Sequence, residues 1–559
     1  MNLDHTILTL ILLVPLAGAL VLALLPDRAR LQQTCALVVT LLTFLCTLHL
    51  PAHFHAVTSI PECRAGQHCD PVPGFAFEQN LSWIASPAIR YHLGVDGLSL
   101  WLVVLTGFLA PLGILASWRV ESIGTRAKTF YVLFLLQQVA MLGVFLALDL
   151  FLYYAFWELS LVPMAILIAT FGRTENRRRA AIKYFLYAFI PSAILLVGIL
   201  WIYAQAGTFE LPQLQQLAAT HGLSSNSAAL WLASLSFLFA FAVKVPVFPL
   251  HGWLSDAIVE APTAAVMVLA GKLGLYSILR FSFGLFPEQS HRIAPLMLAL
   301  GAIGIVFGAL LALVQKDLKR LAAYATLSAL GFIVFGAFTF TISGVDGAIY
   351  QILNESLAGA ALFLLLGFLY ERFGTYDMRE FGGLAASLPW MVTFFVLTTL
   401  AMIGLPMLNG FVGEFLILSG GMQAIFAHHV LWTVVGTVGV ILSAAYMLSL
   451  IQRVFYGDTG LRPAEVPDAP DLDAREHLTL WPFAALFLIM GIASPFWMHT
   501  IDTSGAAIAR TLPQPQTPVK GFTADGSPIS QQPGAFVDPN LAADALGKKA
   551  PQPNQGARY

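Results

Sequence analysis

Stretches of about twenty apolar residues recur along the chain up to about residue 500. A helix of that length measures about 30 Å, the thickness of the hydrocarbon core of a bilayer. Because that core offers no water to backbone N–H and C=O groups, such stretches fold as helices there. Only 11% of the 559 residues are charged, against roughly 25% in soluble domains. The sequence therefore predicts an all-α membrane protein, and its net charge of −2 gives no indication of nucleic-acid binding.

A sliding window of about 20 residues predicts about fourteen transmembrane helices. Their predicted ranges are 5–25, 32–50, 97–117, 130–148, 150–171, 180–203, 229–250, 262–285, 293–314, 321–341, 347–370, 389–418, 428–452 and 478–499. The first range lacks a basic leading segment and a small-residue cleavage site, which indicates a retained helix rather than a signal peptide.

The loops between these helices differ strongly in charge. Loops after even-numbered helices carry only Arg64, Arg90 and Arg292, whereas those after odd-numbered helices carry many Lys and Arg residues. We call the side with the Lys- and Arg-rich loops the basic side. Since positive charge accumulates in cytoplasmic loops, both termini are expected outside the cytoplasm.

Two pairs of cysteines differ in setting. Cys63 and Cys69 lie in the loop after the second predicted helix, on the non-cytoplasmic side. An oxidising compartment would favour a disulfide between them, and a metal site with His68 is the alternative. Cys35 and Cys46 lie within a predicted span and are expected to be unreactive core residues.

The transmembrane domain is predicted to cover residues 1–500. Residues 501–559 are rich in Pro, Gln, Ala and Gly and lack apolar periodicity, so they are predicted to form a disordered or loosely packed extension. Leucines at a spacing of three in the segment Leu211–Leu217 indicate a short surface helix.

Two predicted spans carry both an ionisable residue and helix-breaking residues. Lys244 precedes Pro246 and Pro249 in the seventh span, and Glu414 follows Pro406 in the twelfth. Proline removes a backbone donor and breaks a helix, which is tolerated at membrane depth only inside protein or beside a watery cavity. Paired broken helices with ionisable residues are typical of transport sites. The alternative for Lys244 is a side chain that extends from a helix end to the surface.

Further charges stand inside predicted spans: Glu158 in the fifth, Lys272 in the eighth and Glu355 in the eleventh. Each costs roughly 2.5–3.5 kcal/mol on insertion scales, so several together indicate function, with proton transport as the chemistry. The alternative is a set of structural Glu–Lys pairs that hold helices together.

Three residues near span ends leave more than one interpretation. Lys183 belongs to the site or extends to the cytoplasmic surface. Asp96 caps the third helix or marks a proton exit, and His251 is a gate or a cap. The sequence has no cysteine cluster, no G-x-G-x-x-G motif after a strand and no P-loop, so it predicts no redox centre or nucleotide site.

Five stretches resemble the subunit M (chain 4) family of proton-pumping NADH–quinone oxidoreductase, respiratory complex I. They are Phe156–Met164, Lys244–Asp256, Glu260–Ala264, Leu313–Tyr324 and Leu369–Met378. The resemblance covers about residues 1–500. It implies an antiporter-like subunit of fourteen helices, with two inverted five-helix repeats and broken seventh and twelfth helices.

The same resemblance implies that the chain moves protons. We expect it in the inner membrane of a bacterial cell, where the charge of the loops predicts that both termini are periplasmic. NADH, FMN, iron–sulfur clusters and quinone would bind to partner subunits, and neighbouring antiporter-like subunits would contact this chain within the lipid bilayer. Glu158 and Lys244 resemble the family's paired glutamate and broken-helix lysine. Lys272 resembles the central relay lysine, and Glu414 the last proton-releasing residue.

The sequence departs from the family in three places. About three residues are missing between Pro262 and Lys272, and Ala329 and Glu355 stand where the family commonly has histidine. We therefore predict a proton path through Lys244, Lys272, Glu355 and Glu414. The alternative functions are a subunit of a multi-chain cation/proton antiporter, a subunit of a membrane-bound hydrogenase, and a membrane scaffold that transports nothing.

Overall fold

The computed structural model describes residues 3–55, 58–59, 72–124, 126–220, 222–223, 226–267, 271–457 and 470–510. A short 3₁₀ helix, Leu3–His5, precedes the first long helix. The helices of the N-terminal part are α1 (Ile7–Leu24), α2 (Ala29–His53), α3 (Leu100–Ala116), α4 (Glu121–Gly124) and α5 (Ala127–Leu146). Helix α1 packs against α2 and α5, and α2 packs against α3.

Between α2 and α3 the chain forms two antiparallel hairpins that the predicted all-α class did not include. Strand β1 (Thr58–Ser59) pairs with β2 (Val72–Pro73), and β3 (Ala76–Ile84) pairs with β4 (Ile89–Val95). In the longer hairpin, His92 lies 2.6 Å from Glu78, and this hydrogen bond lowers the pKa of the Glu78 carboxyl group.

The middle of the chain is made of shorter helical pieces. They are α6 (Leu150–Leu159), α7 (Leu161–Phe171), α8 (Arg177–Ala206), α9 (Leu211–Ala219), α10 (Ser227–Lys244), α11 (Leu254–Glu260), α12 (Thr263–Met267), α13 (Gly271–Ser277), a π-helical turn Ile278–Ser282 and α14 (Phe283–Leu285). Helix α9 confirms the short helix that the leucine spacing predicted. Helix α10 ends at Lys244, so the predicted break in the seventh span is confirmed, because Pro246 and Pro249 prevent its continuation.

The second half holds longer helices. They are α15 (Pro287–Leu313), α16 (Leu318–Ala337), α17 (Ile342–Phe373), α18 (Pro389–Met402), α19 (Asn409–Gln423), α20 (His429–Ile451), α21 (Ala474–Ile492) and α22 (Pro495–Arg510), with a 3₁₀ turn Met378–Glu380 and a π-helical turn Gln452–Tyr456. The gap between α18 and α19 contains Gly404 and Pro406 and confirms the predicted break in the twelfth span.

Helix length and surface both match a membrane protein. Within the described residues, eleven helical segments are long and apolar enough to span a bilayer, or twelve if α21 and α22, bent by 67°, count as one span. Helices α3 and α18 are shorter apolar helices. Large apolar side chains face outward on α1, α8 and α20, for example Leu24 (88% exposed), Val197 (67%) and Ile441 (68%). Such exposed apolar faces suit contact with lipid. The count of fourteen and the inverted repeats stay predictions.

The C-terminal end of the bundle extends further than the sequence suggested. Helix α22 runs across the predicted boundary at residue 500, and Ile501 and Ala509 are buried. The remainder of the predicted extension, from residue 511, lies outside the described residues. Cys63 and Cys69 also lie outside them, so their disulfide stays a prediction. Cys35 and Cys46 are free thiols, each half-buried rather than fully buried.

Candidate functional site

Lys244 is buried at the point where α10 ends, with 3% of its surface exposed. Its ammonium group donates a hydrogen bond to Ser160 Oγ at 3.2 Å. The rings of Trp157 and Tyr184 face it, with centroids 5.1 and 5.9 Å away. Ring faces attract cations, and the effect is larger where water is excluded. The lysine is therefore held inside the bundle and does not extend to the surface.

Glu158 lies beside this lysine but does not contact it directly. Its carboxylate accepts a hydrogen bond from Ser192 of α8. Its charge acts on Lys244, yet these two described side chains form no direct ion pair. The direct pair implied by the resemblance is therefore not present. The reason is local, because helix α6 ends at Leu159 and the next residue, Ser160, occupies the position against Lys244.

Lys272 and Glu355 meet at one cavity of about 70 Å³ between α11, α12, α13, α16 and α17. Thr326 and Ser356 also line it, and the remaining walls are mostly apolar. Within the described part of the chain, Lys272 Nζ and Glu355 Oε1 are buried without a hydrogen-bond partner. A water molecule needs about 10–15 Å³ of such space. The cavity can therefore hold more than one water between the amine and the carboxyl group.

Glu414 is 9% exposed and lies against the break between α18 and α19. Gly404, within that break, has a φ of +70°, which favours glycine. A Cβ atom at residue 404 would overlap Glu414 Oε2. The charge of Glu414 also acts on Glu355. The twelfth-span break thus provides the space in which the Glu414 carboxyl group sits, next in order after Glu355.

Lys183 and His251 lie near the broken seventh span but outside the cavity. Lys183 donates to Asp256 of α11 at 2.7 Å, and both side chains are about one-third exposed, at 35% and 39%. It therefore forms an ion pair rather than extending freely to the surface. His251 stacks on Phe248 at 5.6 Å and meets Phe307 edge-on at 5.2 Å.

Asp96 forms a buried ion pair that the sequence analysis missed. Arg280 donates to both carboxylate oxygens, at 2.7 and 2.5 Å, and the two side chains are 8% and 6% exposed. Asp96 also accepts hydrogen bonds from the backbone of Leu98 and Ser99 at the start of α3. These backbone groups belong to the turn before α3, whose N-cap residue is Ser99, so the two interpretations of Asp96 stay predictions. An arginine inside the predicted span 262–285 was the signal that could have identified this pair.

A second missed group lies on the basic side. Glu260 accepts two hydrogen bonds from Thr174, at 2.8 and 2.5 Å, and is 5% exposed. Lys319 is 3% exposed and donates to the Ala261 carbonyl at 2.5 Å. Lys319 falls between the predicted spans 293–314 and 321–341, whereas the structure places it in α16 and buries it beside the junction of α11 and α12. Among the described residues, no three His, Cys, Asp or Glu side chains come together as a metal site.

Family models match most of this architecture. Residues 147–443 match the transmembrane family described as NADH:quinone oxidoreductase/Mrp antiporter. Residues 74–147 match the amino-terminal family of NADH-ubiquinone oxidoreductase chain 4. These two matches together include every residue of the cavity, both broken helices and the longer hairpin.

Relatives and solved structures agree with the family models. The chain is 38% identical over 504 residues to NADH-quinone oxidoreductase subunit M of Rhodobacter capsulatus, covering 87% of this chain and 93% of the relative. It superimposes on a chain of respiratory complex I from Thermus thermophilus with a TM-score of 0.77 at 30% identity, covering 91% and 100% of the two chains.

The same fold occurs in an Mrp complex from Dietzia, with a TM-score of 0.75 at 23% identity over 91% of this chain and 98% of the other. That likeness extends to the fold alone, whereas the identity to subunit M extends over nearly the whole described chain. The chain belongs to the subunit M (chain 4) family of NADH-quinone oxidoreductase.

Proposed function

We propose that this chain is the proton-translocating membrane subunit of an NADH:quinone oxidoreductase. The observation that carries the proposal is that Lys272 and Glu355, an acid and a base whose Nζ and Oε1 atoms have no described hydrogen-bond partner, line the same cavity. Membership of the subunit M family supports the assignment to that enzyme. Electron transfer from NADH to quinone would occur in partner subunits, which would hold the FMN, the iron–sulfur clusters and the quinone.

The proposed location is the inner membrane of a bacterial cell. The excess of Lys and Arg on the basic side supports a cytoplasmic position for that side and a periplasmic position for both termini. The exposed apolar faces of the bundle would contact lipid and neighbouring antiporter-like subunits of the same complex.

The proposed proton path runs through Lys244, Lys272, Glu355 and Glu414. Between the middle two, the Lys272 ammonium gives one proton to the Glu355 carboxylate, which leaves a neutral amine and a neutral carboxyl group. Water in the cavity would carry that proton, because the two groups have no direct hydrogen bond. Glu355 then passes the proton to Glu414, whose charge acts on it.

The remaining site residues have supporting roles in this proposal. Glu158 would stabilise the charged form of Lys244 from a short distance, since its charge acts on that lysine. Lys183, paired with Asp256, and His251, stacked beside the break, would control access to Lys244 from the basic side. Asp96 stays in the proposal as a structural partner of Arg280.

The experiment that tests the proposal compares two substitutions of Glu355. An amide cannot exchange a proton at neutral pH, so Glu355→Gln should slow the transfer step by about 10²–10⁴-fold, the usual contribution of a positioned proton-transfer group. Glu355→His should retain part of the transfer, because imidazole titrates near neutral pH.

The measurement is NADH-driven proton uptake in inverted membrane vesicles, recorded together with quinone reduction. Glu288→Gln is the matched control, because that glutamate is exposed and pairs with Arg292 one turn away. Near-normal proton uptake in both Glu355 variants would show that this carboxyl group only braces its helix.

A further inference from the structure

One buried carboxyl group lies outside the path described so far. Asp346 stands in the first turns of α17, on the side opposite the basic loops, and is 4% exposed. Its Oδ1 atom has no hydrogen-bond partner in the described part of the chain. It also forms no ion pair with any described cation, in contrast to Asp96, which Arg280 neutralises. The group is thus a buried acid without a counter-charge.

Helix α22 covers this acid. Gly505 lies directly against it, since a Cβ atom at that position would overlap Asp346 Oδ1. The neighbouring hydroxyl of Ser504 is 3% exposed and likewise has no partner among the described residues. At the same helix, Gly97 packs against the Thr500 carbonyl group. Gly505 therefore brings the backbone of α22 against the beginning of α17, and Gly97 brings the turn before α3 against α22.

The charged groups that face Asp346 do not favour its ionised form. Asp502, on α22, is near enough for its charge to act on Asp346, and it is itself exposed. His499, three residues before Asp502, acts on Asp502 and is exposed too. Two carboxylates that share one site cannot both ionise easily, and burial disfavours an unpaired charge. The burial of Asp346, its unpartnered Oδ1 atom and the close approach of Gly505 therefore favour a carboxyl group that binds a proton.

Polar groups connect this pair to the end of the proposed path. Gln351 lies on α17 between Asp346 and Glu355, which are nine residues or about 13.5 Å apart along the helix. Asn354 donates to Gln351 at 3.1 Å and to the Asn409 carbonyl at 2.8 Å. The Asn409 side chain is fully buried, and neither of its polar atoms has a described partner. Asn409 begins α19, the helix that carries Glu414.

We propose that Asp346 and Asp502 form a proton-release site at the opposite end of the bundle from the basic loops, with α22 as its cover. A proton from Glu414 travels through water that the buried amides hydrogen-bond, and it binds to the Asp346 carboxylate. The Asp346 carboxyl group then gives it to the Asp502 carboxylate, which gives it to water. This inference rests on the proposed function, because it supplies the exit for the same protons.

The test uses the whole purified complex with Asp346→Asn, reconstituted into liposomes. The infrared spectrum of the unmodified complex should contain the carbonyl stretch of a protonated carboxyl group that is missing from this variant. NADH-driven proton translocation should fall while the complex still assembles, because asparagine has nearly the same shape. Asp4→Asn is the control, since Asp4 is 43% exposed and pairs with His49 of α2.

A second variant tests whether α22 shields Asp346 from water. Gly505→Ala should push α22 away from Asp346 and let water reach its carboxyl group. On transfer to heavy water, the infrared band of that group should then shift faster than in the unmodified protein. Unchanged exchange would contradict the role of α22.

An infrared spectrum without the expected band, or normal proton translocation in Asp346→Asn, would overturn the release site. Glu355→Gln in the same assay separates the two hypotheses. If Glu355→Gln loses translocation and Asp346→Asn keeps it, only the release site fails; if Glu355→Gln also translocates normally, the proposed path fails.

Discussion

The buried charges of this chain fall into two kinds, according to their partners. Asp96 and Arg280 are fully paired, with two hydrogen bonds between them. Lys272 and Glu355 have atoms without any described partner and share a cavity. A fully paired ion pair keeps its charge state, whereas groups beside polar space can gain or lose a proton. The partners of a buried charged group therefore indicate its role better than its degree of burial does.

The paired kind leads to a stability prediction. Asp96→Ala leaves the Arg280 guanidinium buried without a counter-charge, which should cost about 3–5 kcal/mol. We expect little assembled complex on a native gel and faster thermal inactivation of what remains. The double variant Asp96→Leu with Arg280→Met removes both charges and should recover much of the assembly. A complex that assembles normally with Asp96→Ala but pumps poorly would instead support the proton-exit interpretation.

The opposite outcome is expected for Lys244→Ala. Among the described residues, the Lys244 ammonium group donates to the neutral Ser160 hydroxyl and forms no direct ion pair. The substitution therefore takes no direct partner away from a carboxylate. The complex should assemble, and NADH-driven proton uptake should fall strongly. Lys316→Ala is the control at an exposed lysine. Uptake equal to that of the control would remove Lys244 from the path.

At the scale of elements, the helix breaks are the parts that create the site. The break after α10 places Lys244 at a helix end inside the bundle, and the break between α18 and α19 makes room for Glu414. Ser160, in the helical turn between α6 and α7, supplies the hydroxyl that accepts a hydrogen bond from Lys244. Irregular backbone at membrane depth is tolerated only inside protein or beside a watery cavity, which suits the two breaks to a transport site.

Gly404→Ala tests the second of these breaks. The substitution should cost about 1–3 kcal/mol, because a side chain is strained at a φ of +70°. The new methyl group would also overlap Glu414 Oε2 and displace that carboxyl group. Proton uptake should therefore fall more than the thermal midpoint of inactivation does. Gly374→Ala is the matched control, since it has a φ of +68° and open space around it. Equal effects of the two variants would mean that backbone strain alone is at work.

The breaks also mark how far the sequence can predict this structure. Pro246, Pro249 and Pro406 predict both of them, because proline acts locally on its own helix. The contact partner of Lys244 could not be predicted, since it depends on where α6 ends against α10. Arg280 lies inside the apolar predicted span 262–285, and its burial there requires an acidic partner. The sequence does not show which acid that is. The end of helix α22 could not be predicted, because the composition of residues 501–510 resembles that of the residues after them.

At the scale of the whole molecule, the polar groups are buried inside the bundle while its outer faces are apolar. Lys244 is near the break of the seventh span, Lys272 and Glu355 share the central cavity, and Glu414 lies at the break of the twelfth. Each comes from a different helix, so the order depends on packing rather than on sequence spacing. The central claim is that a proton moves along this order, with the cavity as its middle step.

The most direct measurement is the number of protons moved per NADH oxidised by the purified complex in liposomes carrying Lys272→Met. Methionine fills similar space but cannot bind a proton, and Lys316→Met is the exposed control. The account predicts that quinone reduction continues in the variant while fewer protons move per NADH than in the control. An unchanged ratio of protons to NADH would contradict the central role of the Lys272–Glu355 cavity.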